Sequence, residues 1–166
     1  SGWDVKQLHR DILLSETWQQ SSTAAPEKMA IDPENQWFWR FTPRRLEAEN
    51  IRDSILAVSG QLDAKLFGPG TLDPAQRRRS IYFQVKRSQL VPMMQIFDQP
   101  EPLASQGSRP STTIAPQALF FMNNQQVVNW ARALATKVNT GDEETAIRDI
   151  YLRTLGREPG TAEMSE

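Results

Sequence analysis

The chain has 166 residues, with 19 basic and 20 acidic side chains, no cysteine and one histidine. Without cysteine there can be no disulfide, thiolate zinc site or thiol nucleophile, and the single His9 excludes metal sites built from several imidazoles. The net charge of −1 provides no field for nucleic acid, and no apolar run is long enough to predict a membrane span.

The first predicted helix begins at Asp4, a residue type that caps helix N-termini. Gln7 is the expected capping-box partner, and Trp3 with Leu8 is the expected hydrophobic staple. The apolar face of this helix consists of Val5, Leu8 and Ile12. The polar stretch from Gln19 to Ile31 predicts a loop.

Two further helix starts are marked by proline at the first helical position. Asp32-Pro33 predicts a short helical turn, anchored in the core by an aromatic cluster of Trp37, Phe38, Trp39 and Phe41. Thr42-Pro43 predicts the strongest helix of the chain, which ends near Gly60. Its apolar face at helical spacing consists of Ala48, Ile51, Ile55 and Val58.

The second half predicts short helices separated by long loops. Residues 61–76 and 98–113 are rich in Pro and Gly and read as loops, whereas residues 81–85 alternate like one short strand. A short helix or an extended crossing segment is the alternative for 81–85. Helices are predicted at Pro92 to Phe97, from Pro116 to Met122, along Val127 to Val138, and from Asp142 to the stop at Gly156.

These elements predict a mainly α, irregular multi-helix domain with long Pro/Gly-containing loops and at most one short extended segment. We expect residues 1–166 to form a single helical domain. Helix start signals lie near both ends, at Trp3-Asp4 and at Thr161, and predict that the chain is a fragment of a larger multidomain protein.

The densest polar cluster is a stripe on the strongest predicted helix: Arg45, Glu49, Arg52 and Asp53. Glu49 and Asp53, one turn apart, offer paired carboxylates for acid/base chemistry. The structural alternative is that two arginines neutralise two acids and clamp neighbouring loops. Matched charge favours the structural role, because arginine partners lower carboxylate pKa values and oppose general-acid behaviour.

Other candidates are an isolated histidine and two groups of possible ligand contacts. His9 has no accompanying metal or nucleophile motif, so a helix-surface role is favoured. Exposed tryptophans can stack on sugar rings, and Trp18, Trp37 and Trp39 lie close to polar loops, with Trp18 and Trp37 as the candidate contacts. The core role is favoured, because Trp3, Trp39 and Trp130 lie in apolar patterns typical of core residues. Basic and aromatic residues interleave after Arg77, a pattern that can bind phosphate and stack nucleic-acid bases. The candidate ligand contacts in this segment are Arg79, Tyr82 and Arg87. An intramolecular role is favoured for them, and no metal site is predicted.

An ordered series of motifs runs from residue 3 to residue 157. It includes Trp3-Asp-Val-Lys-Gln-Leu-His-Arg10, Asp32-Pro33-Glu34-Asn35, Arg44-Arg45-Leu-Glu-Ala-Glu49-Asn-Ile-Arg52-Asp53, Phe97-Asp98, Thr112-Thr113 and Pro116-Gln117-Ala118-Leu119. The series resembles the C-terminal domain of unknown function of planctomycete and verrucomicrobial proteins that also carry cytochrome-c-like regions. The resemblance implies an extracytoplasmic protein whose haem lies in other regions, with no cofactor in this chain. It also implies that the Arg45–Asp53 helix is a family hallmark.

The favoured function is a helical interaction module of a cytochrome-c-associated protein. It would dock against haem domains or other domains of the same polypeptide, a protein partner or a polysaccharide. The alternative is a hydrolase acting on carbohydrate, using Glu49 and Asp53, or His9 with a carboxylate.

Overall fold

The structure, a computed structural model, describes residues 2–103, 105–138 and 141–165. Within these ranges the chain forms eight α-helices: α1 (Val5–Leu13), α2 (Pro26–Ile31), α3 (Ala48–Val58), α4 (Pro92–Ile96), α5 (Ala115–Asn123), α6 (Gln125–Ala135), α7 (Glu143–Leu155) and α8 (Thr161–Ser165). A 3₁₀ turn spans Ser80–Tyr82, and the same ranges contain isolated β-bridges but no strand. The predicted mainly α fold is confirmed.

The chain divides into two compact units, unit 1 (Ser1–Arg45) and unit 2 (Leu46–Glu166). Unit 1 contains α1, which begins as predicted because Asp4 Oδ1 accepts hydrogen bonds from the backbone N–H groups of Lys6 (3.0 Å) and Gln7 (3.2 Å). The predicted capping box is wrong, since the Gln7 amide donates to Asp11 Oδ1 at 2.6 Å instead. The predicted staple is also wrong, because Trp3 is almost fully exposed.

The second helix of unit 1 lies where a loop was predicted. α2 begins at Pro26 and ends before Asp32, so Asp32-Pro33 marks a helix end rather than a start. The Asp32 carboxylate accepts hydrogen bonds from the backbone N–H groups of Gln36 and Trp37, each at 2.9 Å. An aspartate whose carboxylate accepts hydrogen bonds from backbone N–H groups beyond the helix closes a turn and does not cap a new helix.

The aromatic cluster after this turn does not anchor it in a core. Trp37, Phe38 and Phe41 are exposed, while Trp39 is half-buried and donates its indole N–H to the Asp32 carbonyl at 2.9 Å. Hydrogen bonds from side chains to backbone therefore hold the turn, and the predicted core role of the cluster is wrong. The core prediction holds for Trp130 and fails for Trp3.

Unit 2 begins with α3, whose first turn starts six residues after the predicted start at Thr42. The N-cap is Glu47, in an extended conformation, and residues 42–46 are not helical. The fixed φ of Pro43 suits an extended chain as well as a helix start, so the proline signal alone misplaces the boundary. Arg45 consequently precedes the helix and does not share a helical stripe with Glu49.

The core of unit 2 forms where α3 packs against α4 and α6. Its buried apolar residues are Ala48, Leu56, Met93, Met94, Phe97 and Trp130. The buried positions of α3 are Ala48, Arg52 and Leu56, so the helix is rotated relative to the predicted face. Ile51 and Ile55 are partly buried and pack beside this core.

The remaining helices follow their sequence signals. Pro92 begins α4, the Asn124 side chain caps α6, and the Asp142 side chain caps α7 through the Thr145 N–H at 2.8 Å. Gly156 ends α7 with a left-handed φ of 67°, which glycine adopts at low cost. Among the described residues, no helix has both the length and the apolar character needed to cross a membrane.

Residues 81–85, predicted as one short strand, instead form the alternative, a short helical turn followed by an extended crossing segment. The chain makes a 3₁₀ turn at Ser80–Tyr82 and then runs extended, with a single parallel bridge between Phe83 and Thr71. This crossing segment lies against α3 and forms one wall of the candidate site.

Candidate functional site

Arg52 lies at the centre of the predicted polar cluster, and its side chain is only 2% exposed. Its guanidinium donates hydrogen bonds to the carbonyl oxygens of Gln76 and Arg78 (3.0 Å) and to Ser80 Oγ (3.3 Å). The guanidinium carbon also lies 4.7 Å from the centre of the Phe83 ring. Burial lowers the pKa of Arg52, and the nearby Asp53 charge partly opposes this shift. Arg52 therefore fastens the 76–83 segment to α3.

Asp53 extends the same attachment by one residue. Its Oδ1 accepts hydrogen bonds from both the backbone N–H and the Oγ of Ser80, each at 2.7 Å. Arg52 and Arg79 place nitrogen atoms 3.7 and 3.6 Å from the carboxylate. Both carboxylate oxygens of Asp53 therefore contact the 79–80 segment.

Glu49 has a different partner, Arg109 from the irregular loop after α4. Arg109 Nη1 lies 2.8 Å from Glu49 Oε2 and 3.4 Å from Glu47 Oε2. Burial alone would raise the pKa of Glu49. The hydrogen bond from Arg109, a backbone hydrogen bond and the arginine charge outweigh burial, so the net pKa is lowered. Glu49 is therefore held in its ionised form.

Glu49 and Asp53 line an open cleft of about 350 Å³ in unit 2, which Arg52 does not line. Glu47, Arg79 and Arg109 also line it, so the cleft carries three carboxylates and two arginines. Across the described ranges, no group of three or more His, Asp or Glu side chains is placed to hold a metal ion. The arrangement joins α3 to two loops through paired charges.

Replacing Glu49 by glutamine is expected to destabilise the protein near pH 7 by up to about 1 kcal/mol, because the pair with Arg109 is partly exposed. A lowered folded-state pKa stabilises the protein above the unfolded value of 4.5 and ceases to do so as pH falls through the folded value. The difference between wild type and variant should thus be smaller at pH 3 than at pH 7.

Urea unfolding at both pH values measures this difference. Glu101→Gln, at an exposed glutamate, is the matched control and should differ little from wild type at either pH. A Glu49→Gln deficit of the same size at both pH values would contradict the assignment.

The basic and aromatic residues after Arg77 make internal contacts. Arg78 stacks on the Tyr82 ring at 3.4 Å and donates to the carbonyl oxygens of Lys65, Phe67 and Pro69. The Tyr82 hydroxyl accepts a hydrogen bond from the Phe67 N–H at 2.7 Å. Arg87 is exposed, away from this network. Arg78, which was not among the candidate contacts, is the residue that organises the loop.

A second hydrogen-bonded clamp was not anticipated by sequence reasoning. The Asp98 carboxylate accepts hydrogen bonds from the N–H and Oγ1 of Thr112, each at 2.7 Å. The buried Gln117 amide donates to the Ile96 carbonyl at 2.9 Å. All three polar residues belong to motif strings noted above, so the motif series was the available signal.

The candidate residues of unit 1, which are His9, Trp18 and Trp37, do not form one common site. His9 is exposed on α1, and within the described residues its imidazole makes no hydrogen bond or ion pair. Trp18 lines an open pocket of about 570 Å³ together with Phe38, Arg40 and Phe41, whereas Trp37 does not line it. Sequence reasoning found Trp18 and missed the other three as pocket residues, because their exposure depends on the turn at Asp32.

Comparison with known families assigns the whole chain to a family. A model of the PSD1 family, described as a protein of unknown function (DUF1553), matches residues 1–166. No curated protein and no solved structure matches the chain significantly. The predicted resemblance is confirmed as a domain of unknown function, and the planctomycete and cytochrome associations stay predictions.

Proposed function

This chain belongs to the PSD1 family of proteins of unknown function (DUF1553), and we propose that it is a non-catalytic helical interaction module. Its partner is an apolar protein surface in another domain of the same polypeptide. Following the resemblance, this domain is a cytochrome-c-like region and the protein is extracytoplasmic. Haem is bound by that region, and this chain holds no cofactor.

The observation that carries the proposal is the apolar face of α1. None of the helix residues is buried, although the helix is strongly amphipathic. Trp3, Val5 and Leu8 are 96%, 60% and 56% exposed, and we call these three residues the docking face. A shallow groove of about 290 Å³ runs along them. Contiguous exposed apolar side chains mark interaction surfaces in proteins.

The charges around the docking face favour a protein partner over a lipid surface. Asp4 and Asp11 balance Lys6 and Arg10, so this segment has no basic excess. Helices that lie on anionic membranes combine an apolar face with surplus Lys and Arg. Together with its Asp4 cap, this nine-residue amphipathic helix has no net charge and fits a groove of complementary apolar shape on a protein.

The hydrolase alternative has less support. A general acid needs a raised pKa, and Arg109 lowers that of Glu49. The Asp53 carboxylate is engaged by Ser80, and His9 belongs to the other unit. These contacts favour a structural role for the Arg52 cluster.

The test mixes this chain with the cytochrome-c-like region of its own polypeptide and measures association by isothermal titration calorimetry. We expect a complex that is weakened at least tenfold by the double substitution Val5→Gln and Leu8→Gln. Arg10→Gln, on the polar face of the same helix, is the matched control and should bind like wild type. No association, or equal loss in the control, would overturn the proposal.

A further inference from the structure

Three aromatic rings line the pocket of unit 1, and none of them belongs to the docking face. The Trp18 and Phe41 rings meet edge to face with their centres 6.5 Å apart, and Phe38 lines the same pocket. All three side chains are exposed. The volume of about 570 Å³ lies within the range of ligand sites, roughly 300–1,000 Å³.

Polar groups with unused hydrogen-bonding capacity line this pocket. The Arg40 guanidinium is positioned 5.2 Å from the Trp39 ring, and within the described residues it has no hydrogen bond and no ion pair. Glu34 uses one carboxylate oxygen to accept a hydrogen bond from Gln36, which leaves the other oxygen available. The Thr17 hydroxyl also lines the pocket, and it has no hydrogen-bond partner among the residues that the structure describes. The pocket thus offers donors and an acceptor beside apolar rings.

Phe38, which lines this pocket, has an unfavourable backbone conformation. Its φ of 52° lies in the left-handed region that bulky residues avoid, whereas asparagine tolerates the φ of 57° at Asn35. The Asn35 side chain fixes this loop, donating to the Arg40 carbonyl (2.8 Å) and Thr42 Oγ1 (3.0 Å) and accepting from the Arg40 N–H (3.2 Å). Strain that surrounding hydrogen bonds maintain is characteristic of ligand clamps.

We propose that this pocket binds one neutral pyranose ring of an oligosaccharide. The apolar face of a sugar ring packs on an aromatic ring, while its hydroxyls both donate and accept hydrogen bonds. Trp18 supplies the aromatic platform. Arg40 and Glu34 supply opposite charges that suit hydroxyls and leave no net charge to select an anion. The site is separate from the docking face and stands independently of the proposed function.

The test titrates the chain, labelled with ¹⁵N, with the neutral hexasaccharides of cellulose, xylan and mannan. The five tryptophan indole N–H signals report the site directly, since Trp18 alone among them lines the pocket. We expect at least one sugar to shift the Trp18 signal and leave that of the buried Trp130 unchanged. This measurement uses the unsubstituted chain, so it tests the proposal even if a substituted variant fails to fold.

Calorimetry on variants completes the test. Trp18→Ala should weaken binding at least tenfold, whereas Trp37→Ala, an exposed tryptophan outside the pocket, should bind like wild type. Arg40→Gln should weaken binding by about threefold to tenfold through lost hydrogen bonds. No shift at millimolar sugar, or equal loss in Trp37→Ala, would overturn the proposal.

Discussion

Replacing Arg52 by methionine is expected to lower the free energy of unfolding by about 3 kcal/mol. Methionine approximates the length and apolar stem of arginine but donates no hydrogen bond. The carbonyl oxygens of Gln76 and Arg78 would lose a charged donor in a half-buried environment, and Ser80 Oγ would lose a partner. Leaving buried polar groups unsatisfied costs more than the net value of the hydrogen bonds themselves.

Urea denaturation followed by circular dichroism measures this loss. Hydrogen exchange then locates it, and we expect faster exchange at the Ser80 N–H, which donates to Asp53 beside Arg52. Arg87→Met makes the same chemical change at an exposed arginine and should alter stability by less than about 0.5 kcal/mol. Equal effects of the two substitutions would show that the Arg52 attachment contributes nothing specific.

Replacing Leu56 by alanine is expected to cost about 3 kcal/mol, within the range of 2–5 kcal/mol for buried leucine. The Leu56 side chain is 1% exposed, in the core where α3 meets α4 and α6. Truncation removes buried methyl groups and leaves a cavity lined by rings and thioethers such as those of Phe97, Met94 and Trp130. The aromatic rings are rigid and the surrounding structure relaxes only partly, so part of the space stays empty.

The matched control is Leu152→Ala on α7, since this leucine is also helical but about half exposed. It should change the free energy of unfolding by well under 1 kcal/mol, because alanine favours helix and little apolar area is lost. Trp130, in the core beside Leu56, should also show altered hydrogen exchange at its indole in Leu56→Ala alone. A Leu56→Ala variant as stable as Leu152→Ala would contradict the assigned core.

The fold class and the strongest helix ends could be predicted because they depend on local chemistry. Asp4 and Asp142 cap helices by accepting hydrogen bonds from amides two or three residues away, and Gly156 ends a helix by its own left-handed φ. Proline signals were less reliable, since Asp32-Pro33 closes a helix and Thr42-Pro43 precedes an extended stretch. A proline restricts φ but does not choose between these outcomes.

The candidate site was predicted in part. Glu49, Arg52 and Asp53 lie on one helix as expected, whereas Arg45 precedes that helix. Glu49 contacts Arg109, while Arg52 and Asp53 both contact the 76–80 segment. Their partners are 24 to 60 residues away in the chain, at Gln76, Arg78, Ser80 and Arg109. No spacing rule within a helix identifies a partner at such a distance.

The amino-acid sequence by itself determined the mainly α class, the helix caps at Asp4 and Asp142, the end of a helix at Gly156 and the absence of cysteine chemistry. Only the tertiary structure decided which face of α3 is buried, because the backbone carbonyls of the 76–80 segment give Arg52 partners inside the protein. It also decided that Phe38 and Phe41 line a pocket with Trp18, since a turn closed by Asp32 and Asn35 exposes them. Periodicity reports the preference of each side chain for water, whereas burial also depends on the partners that distant segments supply.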